Sequence, residues 1–136
     1  MEITKTKFPK INRENLDTLQ INIGYKCNQA CSHCHVDSSP SRTEMMSDDV
    51  INLIPKVIKA NKIKLLDITG GAPELHPKFK QLVEEVRSLN VEVMDRCNLT
   101  ILTEPGYEDL ASFLASNKVQ ITASLPCYLE GNVDKQ

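Results

Sequence analysis

Short apolar strands alternate with amphipathic helical stretches through most of this 136-residue sequence, and that alternation limits the fold more than any other feature. From Thr18 to Gly24, Leu19, Ile21 and Ile23 fall on one side and Gln20 and Asn22 on the other, the two-residue period of a strand. Similar short segments follow at 64–69, 91–97 and 119–125. Between them the period lengthens. Val50, Leu53, Ile54, Val57 and Ile58 form an apolar stripe after Ser47, whose hydroxyl suits an N-cap. Asp48 and Asp49 occupy the first turn there, and Pro55 is expected to kink the helix. Phe79, Leu82, Val83, Val86 and Leu89 repeat the stripe between Pro77 and a capping Asn90, and Leu110, Phe113 and Leu114 do so over 107–115. Four strands separated by three helices predict an α/β fold of βαβ units around a parallel sheet.

Strands buried on both faces read as nearly continuous apolar runs, and these do not. Gln20 and Asn22 share a face of the first strand, Asp67 and Thr69 a face of the second, Thr122 and Ser124 a face of the fourth. If those faces line a common interior, the fold is a (β/α) barrel with polar groups gathered at the carboxyl ends of its strands, where α/β proteins place their ligands. A solvent-exposed sheet face is the plainer alternative. Residues 1–17 are weakly patterned and read as a lead-in, leaving 18–136 as the domain. Sixteen basic against eighteen acidic residues give a formal charge of -2, which disfavours a nucleic-acid groove or a polybasic membrane anchor and makes small molecules the expected partners. The amino terminus lacks a signal-peptide apolar run, and no segment approaches the ~20 apolar residues that cross a bilayer. A cytoplasmic location is expected.

Of the five cysteines, Cys27, Cys31 and Cys34 form C-x3-C-x2-C on the polar loop 25–46 that follows the first strand. An odd count with three so close points to metal or redox chemistry more than to a disulfide framework. Three thiolates on one loop can hold three irons of a cubane cluster and leave the fourth iron open to an exchangeable ligand. A zinc site is the rival, with His33 or His35 supplying an imidazole for a Cys3His set; unliganded thiols are the plainest reading.

This strand–loop–helix placement of CNQACSHCH resembles the signature of the radical S-adenosylmethionine (radical SAM) superfamily. The resemblance implies a 4Fe-4S cluster on Cys27, Cys31 and Cys34, S-adenosylmethionine chelating the open iron, and reductive cleavage of its sulfonium to methionine and a 5′-deoxyadenosyl radical. It also implies a low-potential electron donor such as flavodoxin or ferredoxin. The family commonly has an aromatic residue before the last cysteine; here His33 stands there, and its imidazole can pack against adenine. His35 and Asp37 read as loop-ordering residues. The family builds a partial barrel of six βα units, of which this chain supplies about four, so an incomplete, truncated core is expected.

At the end of the second strand stands TGGAPEL, residues 69–75. Paired glycines let a backbone come close to a ligand, although taken alone they more often mark a plain turn. Beside the cysteine loop, Gly70, Gly71, Ala72 and Pro73 resemble the motif that binds the methionine amino group in radical SAM enzymes. The family's acidic residue after the glycines is replaced by Ala72, with Glu74 two positions on. By position at the strand ends, Asn98 and Ser124 are candidates for the cofactor's ribose and carboxylate. Taken together, TGGAPEL, DRCNLT and ASLPCY resemble the arsenosugar biosynthesis radical SAM proteins. That narrower resemblance implies joining the 5′-deoxyadenosyl group through C5′ to a trivalent methylated arsenical, with Cys97 or Cys127 as soft thiolate ligands for arsenic. Small buried hydrophobes are the ordinary alternative for both cysteines.

Overall fold

The computed structural model describes residues 9–12, 14–32 and 34–123. Four parallel strands lie in chain order: β1 Thr18–Asn22, β2 Leu65–Thr69, β3 Glu92–Asp95 and β4 Gln120–Ile121. The helices are α1 Asp48–Ile51, α2 Ile54–Asn61, α3 Phe79–Ser88 and α4 Leu110–Ser116, with short 3-10 turns at Pro73–Leu75 and Thr100–Thr103. This is the α/β alternation that the periodicity predicts, in the sequential strand order of a partial (β/α) barrel.

Local chemistry sets where the helices stop and start. Pro55 does not kink one helix; it sits in the first turn of α2, after Asn52 and Leu53 have separated α2 from α1. A proline there gives up only an amide that has no helical partner. Ser47 occupies the N-cap of α1, but its side chain makes no capping bond, contrary to expectation. After α3, Asn90 adopts φ 59° one residue beyond the C-cap Leu89, a left-handed position that asparagine tolerates.

Register sorts the strand side chains into two faces. Leu19, Leu66 and Val93 align in one row and Ile21, Ile68 and Asp95 in the next; the apolar members join the core that holds Ile54 and Ile58 of α2, Phe79, Leu82, Val83 and Val86 of α3, and Leu110 of α4. Each of these buried side chains contributes roughly 1.5–3 kcal/mol. The opposite face aligns Gln20, Asp67, Met94 and Gln120, then Asn22 and Thr69, the polar row that the alternation predicts. Among the described residues, no helix is long and apolar enough to cross a membrane.

Candidate functional site

The polar loop after β1 is a folded excursion whose two arms run alongside each other. Its outgoing arm bonds to its return: Tyr25 N–H donates to Glu44 O at 2.9 Å, Cys27 N–H to Ser39 O at 3.1 Å and Met46 N–H to Ile23 O at 3.0 Å. Arg42 fastens the return arm, donating to Glu44 and to the Asp37 carbonyl while lying 4.9 Å from the Tyr25 ring centroid. Cys27 lies on the outgoing arm, and the tip beyond it carries Cys31 and Cys34. Cys27 is buried, Cys31 and Cys34 are half-buried, and all three are free thiols.

Amide donors already surround two of the sulfurs. Gln29 N–H donates to Cys27 Sγ at 3.5 Å and Ser38 N–H to Cys34 Sγ at 3.3 Å. Burial works against ionisation of Cys34, yet the hydrogen bonds from Ser38, Val36 and Asp37 outweigh it and hold this thiol below its usual range. Burial, followed by the closeness of Cys27 and Cys34, raises Cys31. Three thiols on one loop with hydrogen-bond donors aimed at sulfur form a donor set suited to iron–sulfur ligation, because such bonds stabilise bound thiolate and tune a cluster's potential.

The TGGAPEL turn seats this loop. Gly71 N–H donates to Gly24 O at 3.0 Å and Ala72 N–H to Lys26 O at 2.9 Å, which extends the β1–β2 pairing past the last strand residue. A Cβ on Gly71 would lie 2.4 Å from Lys26 O and 2.9 Å from Cys27 Cβ; on Gly70 it would lie 2.7 Å from Gly24 O. Both positions therefore require glycine because the cysteine loop's backbone occupies the space. His76, which the sequence reading passed over, ties the turn to the loop's return: Nδ1 accepts from Lys78 N–H, so Nε2 donates to Met46 O at 2.9 Å.

The end of β3 supplies a third anchor. Asn98 Nδ2 donates to Asn28 Oδ1 at 2.8 Å and to Cys27 Sγ at 3.4 Å, while its Oδ1 accepts from Thr100 and from Ile101 N–H. Asn28 in turn donates to Thr100 Oγ1 and Glu104 Oε1. Asn98 is thus engaged with the cysteine loop itself. Leu99 beside it is held at φ 58°, a conformation that costs an L-residue roughly 1–2 kcal/mol. Asn28 and Thr100 lie within CNQACSHCH and DRCNLT without being singled out there, and Glu104 carries no motif that marks it in the sequence.

Cys97 lies in the apolar core, 3% exposed, packed with the side chains of Glu74 and Asp95. One ligand atom from each of the three lies within 4.8 Å of the others. Burial first, then interaction with Glu74, pushes the Cys97 thiol far up, so it ionises only where a positive charge stands beside it. Burial and the Glu74 carboxylate likewise push Asp95 up to about 9. As carboxylates, Glu74 and Asp95 have no donor on any oxygen; a proton on Asp95 creates one that Glu74 can accept. On the opposite, polar face, Arg96 donates to both oxygens of Asp67 at 2.9 and 2.8 Å and Gln20 adds a third bond at 2.7 Å. The Arg96 bonds, helped by Gln20 and opposed by burial, hold Asp67 below the usual carboxylate range.

Comparison with known proteins shows the family of the chain. The sequence pattern of the Radical SAM superfamily matches residues 21–127, from within β1 through all three anchors of the loop. The chain belongs to the radical SAM superfamily. It is 24% identical over 78 residues to a "Probable GTP 3',8-cyclase" of Sulfurisphaera tokodaii, covering 57% of this chain and 25% of that protein. It is 33% identical over 78 residues to the "Putative peptide biosynthesis protein YydG" of Bacillus subtilis, covering 56% and 24% respectively. Its fold is similar to that of Streptococcus suis SuiB, with a TM-score of 0.66 and 18% identity over 88% of this chain and 26% of that one. The chain spans about a quarter of the length of these relatives.

Radical SAM proteins are enzymes that use a 4Fe-4S cluster and S-adenosylmethionine, and the thiol set of this chain fits that cluster. Of the residues singled out in the sequence, the structure brings Cys27, Gly70, Gly71, Ala72 and Asn98 into one connected assembly with Cys31 and Cys34 at its tip. It places Cys97 among the core side chains. Pro73 is buried and opens the 3-10 turn after the glycines. His33, Ser124 and Cys127 lie outside the described residues.

Proposed function

We propose that Cys27, Cys31 and Cys34 ligate three irons of a 4Fe-4S cluster and that this chain is the amino-terminal part of a radical SAM active site. The observation that carries the reading is a loop of three free thiols clamped at its base by the Gly70–Gly71 turn and at Cys27 by Asn98. When bound, the cluster supplies the electron that cleaves the sulfonium of S-adenosylmethionine.

The chain's own residues have separate tasks in this reading. Gln29 N–H and Asn98 Nδ2 donate to Cys27 Sγ, and Ser38 N–H donates to Cys34 Sγ, bonds that orient these sulfurs as ligands. Gly71 and Ala72 spend their N–H groups on the cysteine loop, so the turn's remaining polar groups toward a methionine ammonium are carbonyls. His33 and Ser124 are proposed to contact the cofactor's adenine and its ribose or carboxylate. Asp67, Arg96 and Gln20 present a fixed, charged network on the polar sheet face, where a barrel interior would receive substrate.

For the substrate, we infer a trivalent methylated arsenical joined to C5′ of the deoxyadenosyl group. This rests on the likeness of TGGAPEL, DRCNLT and ASLPCY to the arsenosugar biosynthesis proteins, whereas the relatives compared above carry the names of other reactions. Anaerobic reconstitution tests the first claim. An iron- and sulfide-loaded chain whose reduced electron paramagnetic resonance signal changes on adding S-adenosylmethionine supports it; a colourless chain whose bound zinc is lost on Cys31→Ser overturns it. The second claim is tested with the protein encoded by the complete gene: mass spectrometry finding a carbon–arsenic adduct of deoxyadenosine supports it, and cleavage of S-adenosylmethionine with no adduct overturns it.

A further inference from the structure

The Glu74, Asp95 and Cys97 side chains form a cluster that the cysteine loop does not use. Glu74 is 5% exposed, Asp95 0% and Cys97 3%. They arrive from two segments: Glu74 from the 3-10 turn after β2, Asp95 from the last position of β3 and Cys97 two residues beyond it. Among the described residues, none donates a hydrogen bond to any of the four buried carboxylate oxygens, and an oxygen left unpaired in the interior is costly. Nor does any described cationic side chain relieve them: the guanidinium of Arg96, next in sequence to Asp95, is spent on Asp67 across the sheet.

Two kinds of positive charge could relieve this arrangement, and the count of ligand atoms separates them. One shared proton satisfies one donor oxygen and one acceptor and leaves the other carboxylate oxygens unpaired. A divalent cation takes one atom from each of the three groups, which already lie within 4.8 Å of one another. We propose that Glu74, Asp95 and Cys97 form a second metal centre, separate from the cysteine loop, that takes one zinc-class divalent ion. The donor types choose the ion: a thiolate beside two carboxylates favours a borderline-soft metal over magnesium or calcium, which prefer oxygen alone. Three protein ligands leave a coordination position for water or another molecule, the pattern of reactive zinc sites more than of closed structural ones.

Cobalt(II) is the probe, because its thiolate charge-transfer band reports a sulfur ligand directly. The parent for the titration is the full chain carrying Cys27→Ser, Cys31→Ser, Cys34→Ser and Cys127→Ser, which leaves Cys97 as its one thiol. The expected result is one equivalent of cobalt with a thiolate band, displaced by zinc, and a higher melting temperature with either metal. Adding Cys97→Ser should abolish the band, and adding Glu74→Gln or Asp95→Asn should weaken affinity by on the order of 100-fold. Circular dichroism of each metal-free chain confirms folding. A second measurement avoids the four substitutions and uses the chain with an intact, iron-loaded loop: elemental analysis should find one zinc beyond the iron, lost on Glu74→Gln with iron unchanged. A folded parent that takes up no cobalt, or an iron-loaded chain whose zinc content ignores Glu74→Gln, overturns the proposal in favour of a proton-sharing cluster.

Discussion

Replacing Gly71 by alanine tests whether the glycine turn serves first as a seat for the cysteine loop. The new methyl would stand 2.4 Å from Lys26 O, 2.8 Å from Lys26 C and 2.9 Å from Cys27 Cβ, whereas relaxed carbon contacts lie near ~3.5–4.0 Å. The obstructing atoms are mostly backbone, so no side chain can swing aside. The two segments must part by roughly 1 Å, and the bonds Gly71 N–H to Gly24 O and Ala72 N–H to Lys26 O stretch with them. Overpacking costs about 1–3 kcal/mol and each of the two weakened bonds about 0.5–1.5, together about 2–6 kcal/mol. With an unfolding entropy of about 2.1 cal/mol/K per residue, a chain of this length should melt roughly 7–21 °C lower. Thermal unfolding of the iron-free chain by circular dichroism reads the loss, and iron uptake on reconstitution reads the displacement of Cys27. Gly106→Ala is the control, since that glycine has φ +89° but no atom within 4 Å of an added Cβ; it should lose only about 1–2 kcal/mol and bind iron normally. A Gly71→Ala chain that melts no lower than Gly106→Ala and loads the same iron refutes the reasoning.

Three further outcomes follow from the geometry. Leu99→Gly releases the left-handed strain at φ 58° and, after the added freedom of the unfolded glycine is subtracted, should stabilise the chain by about 0.5–1 kcal/mol, read as a higher melting temperature with iron content unchanged. Asn98→Ala removes donors to Cys27 Sγ and Asn28 and should cost about 1–3 kcal/mol; faster iron loss to a chelator than from the parent would show that it positions the loop, and equal loss would count against that role. Arg96→Met removes the largest influence holding Asp67 below the usual carboxylate range. A carboxyl whose folded pKa is depressed adds stability above its unfolded pKa and loses it as pH falls through the folded value. The parent should therefore unfold progressively in acid below about pH 4, and the Arg96→Met chain should show a shallower acid dependence there; an unchanged acid limb would exclude Asp67 as its source.

Much of this fold is written in nearest-neighbour patterns. The two-residue period of Leu19, Ile21 and Ile23 and the stripe of Phe79, Leu82, Val83 and Val86 located β1 and α3 because side-chain direction within one element depends only on backbone geometry. Pro55 was misplaced by the same logic. A proline marks a discontinuity, but whether it kinks a helix or begins a new one depends on the path of the residues before it. Ser47 shows the complementary limit, since its type suits a cap while its rotamer answers to surroundings that propensity does not contain.

The sequence by itself determined the thiol set: C-x3-C-x2-C places three sulfurs on one short loop whatever the rest of the chain does, and the polar row of Gln20, Asn22, Asp67 and Thr69 follows from alternation alone. Only the tertiary structure decided what holds that loop and what lies behind it. Asn98 reaches Asn28 across 70 positions, Gly71 must be glycine because Lys26 passes beside it, and Glu74 meets Asp95 and Cys97 in the core. Parallel pairing of β1, β2 and β3 brings their carboxyl ends together, and such convergence is a property of strand register in space, with no trace in the spacing of residues along the chain.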